Sequence, residues 1–184
     1  ELSTLEQLTI LGGNITDEGV AQLANLAKLE SLRLSHSSIT DQGIEPLTKL
    51  SLTILNLEGC RLSGTAVRDA VSVAELNLSR NPMTLDGCQS IGKLQQLEAI
   101  FLNYTDLSDE DVAELKELKN LKHLNLNANG KLTDSCLETI GGMKQLEWLE
   151  INGANITGEG LASIRVLTNL KRLNINDTLV PRID

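Results

Sequence analysis

The stretch that decides the architecture is residues 29–57, L-E-S-L-R-L-S-H-S-S-I-T-D-Q-G-I-E-P-L-T-K-L-S-L-T-I-L-N-L. It opens with Leu29, Leu32 and Leu34 in the spacing L-x-x-L-x-L. It runs through Ile39-Thr40-Asp41-Gln42-Gly43 and closes on the same spacing at Leu52, Leu55 and Leu57. Working outward, the unit recurs along the whole chain: Leu5/Leu8/Ile10 before it, then Val73/Leu76/Leu78, Leu97/Ile100/Leu102, Leu121/Leu124/Leu126, Leu146/Leu149/Ile151 and Leu170/Leu173/Ile175. The steps between units are 24, 23, 21, 24, 24, 25 and 24 residues, a period that marks a stack of small repeats.

Within each unit the hydrophobic period changes. The L-x-L segment alternates with period two, as a short strand does, while after the turn apolar residues such as Val20, Leu23 and Leu26 recur every three positions. That spacing predicts a short helical stretch with one buried face. Seven hydroxyls share the slot before it (Thr16, Thr40, Ser63, Thr84, Ser108, Thr133 and Thr157) and are expected to cap the helix starts. The acids that follow are expected to complement the helix dipole. Asp109-Glu110-Asp111, which has the look of a metal site, is read as helix-start decoration in the same way. One unit cannot bury its own apolar edges, so neighbours stack, and about eight parallel strands with helices opposite are expected.

These motifs resemble the leucine-rich repeat family over essentially the whole chain. The I-T-D-x-G signature, also present at Ile15–Gly19 and as Ile156-Thr157-Gly158-Glu159-Gly160, is similar to that of cysteine-containing leucine-rich repeats of ubiquitin-ligase receptors and of 24-residue bacterial repeats. The chain departs from the former in lacking their second framework cysteine. The resemblance implies an α/β right-handed solenoid with a curved parallel sheet on its concave face and short helices on its convex face. It also implies a ladder of small polar groups at Gly13, Ser37, Cys60, Asn81, Thr105, Asn129, Ala154 and Thr178 that bonds backbone between turns. Cys60 is then structural, as are Cys88 and Cys136, assigned to the slot of Val20. Three unpaired buried thiols fit a reducing compartment.

Residues 1–184 read as one leucine-rich repeat domain of about seven repeats plus partial ends. The third unit is short, and the sixth carries an extra residue near Gly130-Lys131. Leu2 matches a mid-repeat position, and Pro181 stands where a capping Thr is expected. The ends therefore suggest a domain from a longer protein, ends covered by a partner, or self-association through them. No targeting or membrane-spanning stretch is evident. The net charge of −9 argues against nucleic acid and against anionic membranes.

Strand alternation turns the residues between the core leucines toward solvent on the concave side. The chain's single Phe and single Trp both fall there, as Phe101 and Trp148, with His123 between them, Arg172 beside Trp148, Glu150 one slot over and Tyr104 just past a strand end. Trp, Tyr and Arg dominate binding hot spots, so Phe101, Tyr104, His123, Trp148, Glu150 and Arg172 are the expected partner-binding set. Trp148 is expected to face solvent and to matter for affinity more than for stability. Eight of the 15 Asn also fall on this face, with Asn103, Asn127, Asn152 and Asn176 assigned to strand-end turns. Five N-x-S/T sequons, at Asn14, Asn77, Asn103, Asn155 and Asn176, read as framework coincidence. The face carries three Arg and four acids, counting the residue after each strand.

Catalysis has little to draw on. His36 and His123 lie four repeats apart, and no nucleophile–base pair, metal-ligand spacing or phosphate loop occurs. The expectation is a protein-interaction module with no cofactor and no metal that binds a polypeptide partner. A carbohydrate or cell-wall binder, stacking sugars on Phe101 and Trp148, is the alternative.

Overall fold

The computed structural model describes residues 2–181 and is an open, eight-stranded parallel sheet in strict chain order. The strands are β1 (Gln7–Leu11), β2 (Ser31–Ser35), β3 (Ile54–Asn56), β4 (Glu75–Asn77), β5 (Ala99–Phe101), β6 (His123–Asn125), β7 (Trp148–Glu150) and β8 (Arg172–Asn174). Behind them run short helices α1 (Asp17–Ala21), α2 (Asp41–Ile44), α3 (Leu85–Ile91), α4 (Asp109–Ala113), α5 (Asp134–Ile140) and α6 (Leu161–Ile164). The shortened third repeat has only a 3-10 turn, Thr65–Asp69, in the helix position.

Register follows the repeat. Leu8, Leu32, Leu55, Leu76, Ile100, Leu124, Leu149 and Leu173 are successive Cα partners across the sheet. The inner members are buried between two neighbours, whereas Leu8 is half-buried and Leu173 is 39% exposed, because each end layer is covered on one side only. Each strand then ends in a residue at positive φ: Gly12, His36, Gly59, Arg80, Tyr104, Ala128, Gly153 and Asp177. This left-handed residue turns the chain while its N–H still bonds the next repeat, as Tyr104 N–H does with Asn127 C=O. Five of the eight are not glycine, at about 1 kcal/mol of strain each.

The polar ladder forms between turns at Cys60, Asn81 and Asn129, whereas Ser37 and Thr178 bond carbonyls of their own turn and Gly13 and Ala154 have no polar side chain to contribute. Asn129 is fully buried; its amide donates to Leu102 and Leu126 carbonyls, and its Oδ1 accepts from the N–H groups of Thr105 and Leu107. Asn81 acts in the same way earlier in the stack, bonding Leu57 C=O and Leu62 N–H. Cys60 Sγ reaches Leu34 C=O at 3.6 Å. All three thiols are buried, and burial pushes Cys88 and Cys136 up to about 12. Cys136, however, is not in the slot of Val20. It lies three residues after Thr133, where other repeats have Gly19 or Gly43, and Leu137 takes the Val20 position. The extra residue near Gly130 shifts a count made from the preceding strand by one.

Capping is less uniform than expected. Thr40, Thr84, Ser108 and Thr133 do cap α2 to α5. Thr16 makes no side-chain cap bond, Ser63 precedes a 3-10 turn, and Thr157 bonds Glu159 N–H ahead of a helix that starts later. The acids do more than complement dipoles. Asp17 accepts from both the N–H and the hydroxyl of Thr40, Asp109 does the same for Thr133, and Asp134 for Thr157. Asp41 accepts from the N–H groups of Ser63 and Ala66. Each Asp thus ties its repeat to the next. At two of these ties a glycine makes the room, since a Cβ on Gly43 or Gly160 would collide with Asp17 or Asp134 of the repeat before.

Candidate interaction surface

The outward residues of the strands form two rows across the sheet. The first is Gln7, Ser31, Ile54, Glu75, Ala99, His123, Trp148 and Arg172; the second is Thr9, Arg33, Asn56, Asn77, Phe101, Asn125, Glu150 and Asn174. Parallel register therefore sets His123, Trp148 and Arg172 side by side. The His123 and Trp148 rings meet edge-on with centroids 5.4 Å apart, and the Arg172 guanidinium lies 4.4 Å from the Trp148 ring centre. Cation–π contact of this kind contributes about 0.5–1 kcal/mol at an exposed site.

Glu150 organises the cluster from the second row. One carboxylate oxygen accepts from Trp148 Nε1 at 3.1 Å and lies 3.7 Å from Arg172. The other accepts from the amides of Asn125, at 2.7 Å, and Asn127, at 2.9 Å. With its side chain only 14% exposed and both oxygens engaged, Glu150 acts as an internal brace. Phe101, half-buried, adjoins a shallow dimple shared with His123, Asn125, Trp148 and Glu150.

Trp148 departs from the sequence expectation. It is half-buried beneath its neighbours, not freely solvent-facing, so its truncation removes packing as well as outward surface. Tyr104 also stands apart from the cluster. It is 56% exposed, held at φ +55°, and stacks under Arg80 at 4.3 Å, while Arg80 pairs with Glu58 at 3.3 Å. The face thus holds two groups, His123–Trp148–Glu150–Arg172 and Glu58–Arg80–Tyr104.

The asparagines divide differently from the expectation. Turn-type bonds belong to the second row, where Asn56, Asn77 and Asn125 each accept from the N–H two residues on. Asn127 and Asn152 instead accept from the backbone of the next repeat, at Asn152 and Asn176. Asn103 Oδ1 is the one buried side-chain acceptor without a partner among the described residues, a deficit of about 1–3 kcal/mol between Phe101 and Tyr104. Asp109 and Asp111 are engaged in the inter-repeat tie and the Ser108 capping box. No cluster able to hold a metal ion occurs among the described residues.

Parallel strands in chain order, a repeat-length period and the buried Asn81 and Asn129 amides bonding backbone between turns together define a leucine-rich repeat solenoid fold. The leucine-rich repeat family model matches residues 25–47 and 72–92. An internalin (inlF) from Listeria monocytogenes is similar at 25% identity and a TM-score of 0.78. The match covers 96% of this chain and 48% of the internalin, so the chain spans about half that protein's length. Internalin C2 from the same organism matches at 23% identity and a TM-score of 0.81, covering 97% of this chain and 74% of the other. A plant peptide hormone receptor, RGFR1 in complex with RGF2, matches at 18% identity and a TM-score of 0.57, covering 92% of this chain and 31% of the receptor. No curated protein sequence matches. No helix among the described residues is long and apolar enough to cross a membrane.

Proposed function

We propose that the chain is a non-catalytic protein-interaction module that binds a polypeptide through the outward side of strands β5–β8. The observation that carries this reading is the convergence of the only Trp, the only Phe, His123 and Arg172 on adjacent outward positions. Aromatic and guanidinium groups there offer large, rigid contact area at low entropic cost. The unpartnered Asn103 acceptor, two residues past Phe101, is also consistent with a surface not arranged for stability alone. A receptor of the same fold, solved with RGF2, adds precedent. The non-catalytic reading rests on buried, high-pKa thiols and on histidines four strands apart, about 19 Å at the usual strand spacing. A sugar-binding role is less well supported, because the amides of Asn125 and Asn127 already serve Glu150.

The test is to isolate partners from native lysate alongside a glycan array, then measure affinities of folded variants by calorimetry. Trp148→Ala is expected to weaken a protein partner by about 2 kcal/mol or more, and Arg172→Ala by about 1 kcal/mol. Arg33→Ala, at the far end of the sheet, is expected to change nothing. Unchanged binding by folded Trp148→Ala and Arg172→Ala, or selective binding of glycans alone, overturns the proposal.

A further inference from the structure

A second feature of the strand face lies on the side of β6 away from Trp148. The first outward positions of β3 to β6 are Ile54, Glu75, Ala99 and His123, preceded by Thr53, Ala74, Glu98 and Lys122. Small side chains at Thr53, Ala74 and Ala99 leave a cleft of about 360 Å³, bounded by Lys122 and His123 at one end and Ile54 at the other. That volume is at the low end of the roughly 300–1,000 Å³ of ligand sites, enough for one long side chain.

The charges in the cleft are unequal in their commitments. Glu98 is bound to Lys122 at 2.9 Å. Glu75 is half-buried, yet it takes part in no ion pair and its carboxylate accepts no hydrogen bond among the described residues. The two other glutamates on this face, Glu58 and Glu150, are paired with Arg80 and Arg172. The cleft therefore has apolar walls and a single uncommitted negative charge, in a chain whose net charge is −9.

We infer that this cleft is a subsite for a basic side chain, lysine or arginine, of the polypeptide bound by the module. The inference rests on the interaction reading above. Any occupant strips water from Glu75. An apolar or neutral one would leave a desolvated carboxylate unpaired, and an acidic one would add repulsion, whereas a cation compensates it. The methylene stem of lysine or arginine suits Ile54, Ala74 and Ala99. Glu75 on β4 is three strands from Trp148 on β7, about 14 Å at the usual strand spacing. An extended partner crossing the sheet thus carries its basic residue about four positions from the group that contacts Trp148.

The test needs no partner. Acetyl-arginine amide and acetyl-lysine amide are titrated into the isotope-labelled protein, with acetyl-norleucine amide as the uncharged control, and backbone amide shifts are followed. Saturable shifts confined to Ile54, Glu75, Ala99 and His123 are expected for the two cations, and Glu75→Gln should weaken them at least fivefold. Glu117→Gln, at an exposed ion pair with Lys119, should leave them unchanged. Equal shifts in Glu75→Gln, shifts spread evenly over all exposed acids, or equal binding of norleucine amide overturn the inference. Because this readout is the Glu75-dependence of small-cation binding and needs no partner, its failure is distinguishable from failure of the Trp148 affinity test.

Discussion

Strands β6–β8 and strands β3–β5 are built on one backbone plan, yet their outward sides differ in kind. On β6–β8 the side chains are large and satisfy one another: His123 against Trp148, Trp148 under Arg172, and Glu150 taking donors from three residues and facing a fourth. On β3–β5 the first outward row is Ile54, Glu75 and Ala99, and Glu75 joins no ion pair and accepts no hydrogen bond among the described residues. The difference teaches that register alone does not make a surface. The same row yields a braced platform where long side chains meet, and an open cleft where Ala99 interrupts it.

The contrast can be broken or sharpened by matched substitutions. The largest effect is expected in the shared ladder behind the two regions. Asn129→Ala, behind β6, orphans the N–H groups of Thr105 and Leu107 and should cost about 3–5 kcal/mol in urea unfolding. Cys60→Ala, in the same slot behind β3, removes one weak bond and should cost about 1 kcal/mol. Equal losses would mean that the two regions rest on the framework alike.

A smaller difference is expected on the face itself. Glu150→Ala leaves the Trp148 indole and two asparagine amides without their acceptor and should cost about 2 kcal/mol. Glu75→Ala should stay within about 0.5 kcal/mol, having no partner to lose. A Glu75 variant as damaging as the Glu150 variant would show that the cleft is braced after all.

The smallest effect concerns acid. Burial tends to raise the Asp41 carboxyl, but hydrogen bonds from the Ala66 and Ser63 N–H groups and the Ser63 and Thr65 hydroxyls outweigh it and hold it below its ordinary 3.8. Asp134 is held low by the hydroxyl and N–H of Thr157. A depressed carboxyl contributes stability that is complete above the unfolded value and lost as pH falls through the folded one. The acid limb of stability should therefore fall below about pH 4. Asp41→Asn should flatten it more than Asp134→Asn, because more donors converge on Asp41. No flattening in either variant would remove the inter-repeat ties as a stabilising element.

Those ties are only half visible in the chain. A Ser or Thr in each of seven turns is legible as a cap, but not that Asp17, Asp41, Asp109 and Asp134 reach the next repeat's hydroxyl or backbone, 22–25 residues on. The Cys136 register is misread when spacing is counted from the preceding strand, across the extra residue, and read correctly when counted from Thr133.

By itself the sequence determined the repeat, the eight parallel strands, the buried positions of the ladder and of the three thiols, and which strand residues alternate outward. All of these follow from spacing, since a period near 24 leaves one way to stack aliphatic edges. Only the tertiary structure decided what the outward residues do to one another. It half-buried Trp148, turned Glu150 into an internal brace, separated Tyr104 from the Trp cluster and left Glu75 alone in a cleft. The physical reason is that, apart from the Trp148–Glu150 bond within one strand, the contacts join residues 22 to 25 positions apart, across neighbouring repeats. Their outcome depends on the relative sizes and charges of facing side chains, which no pattern within a single repeat encodes.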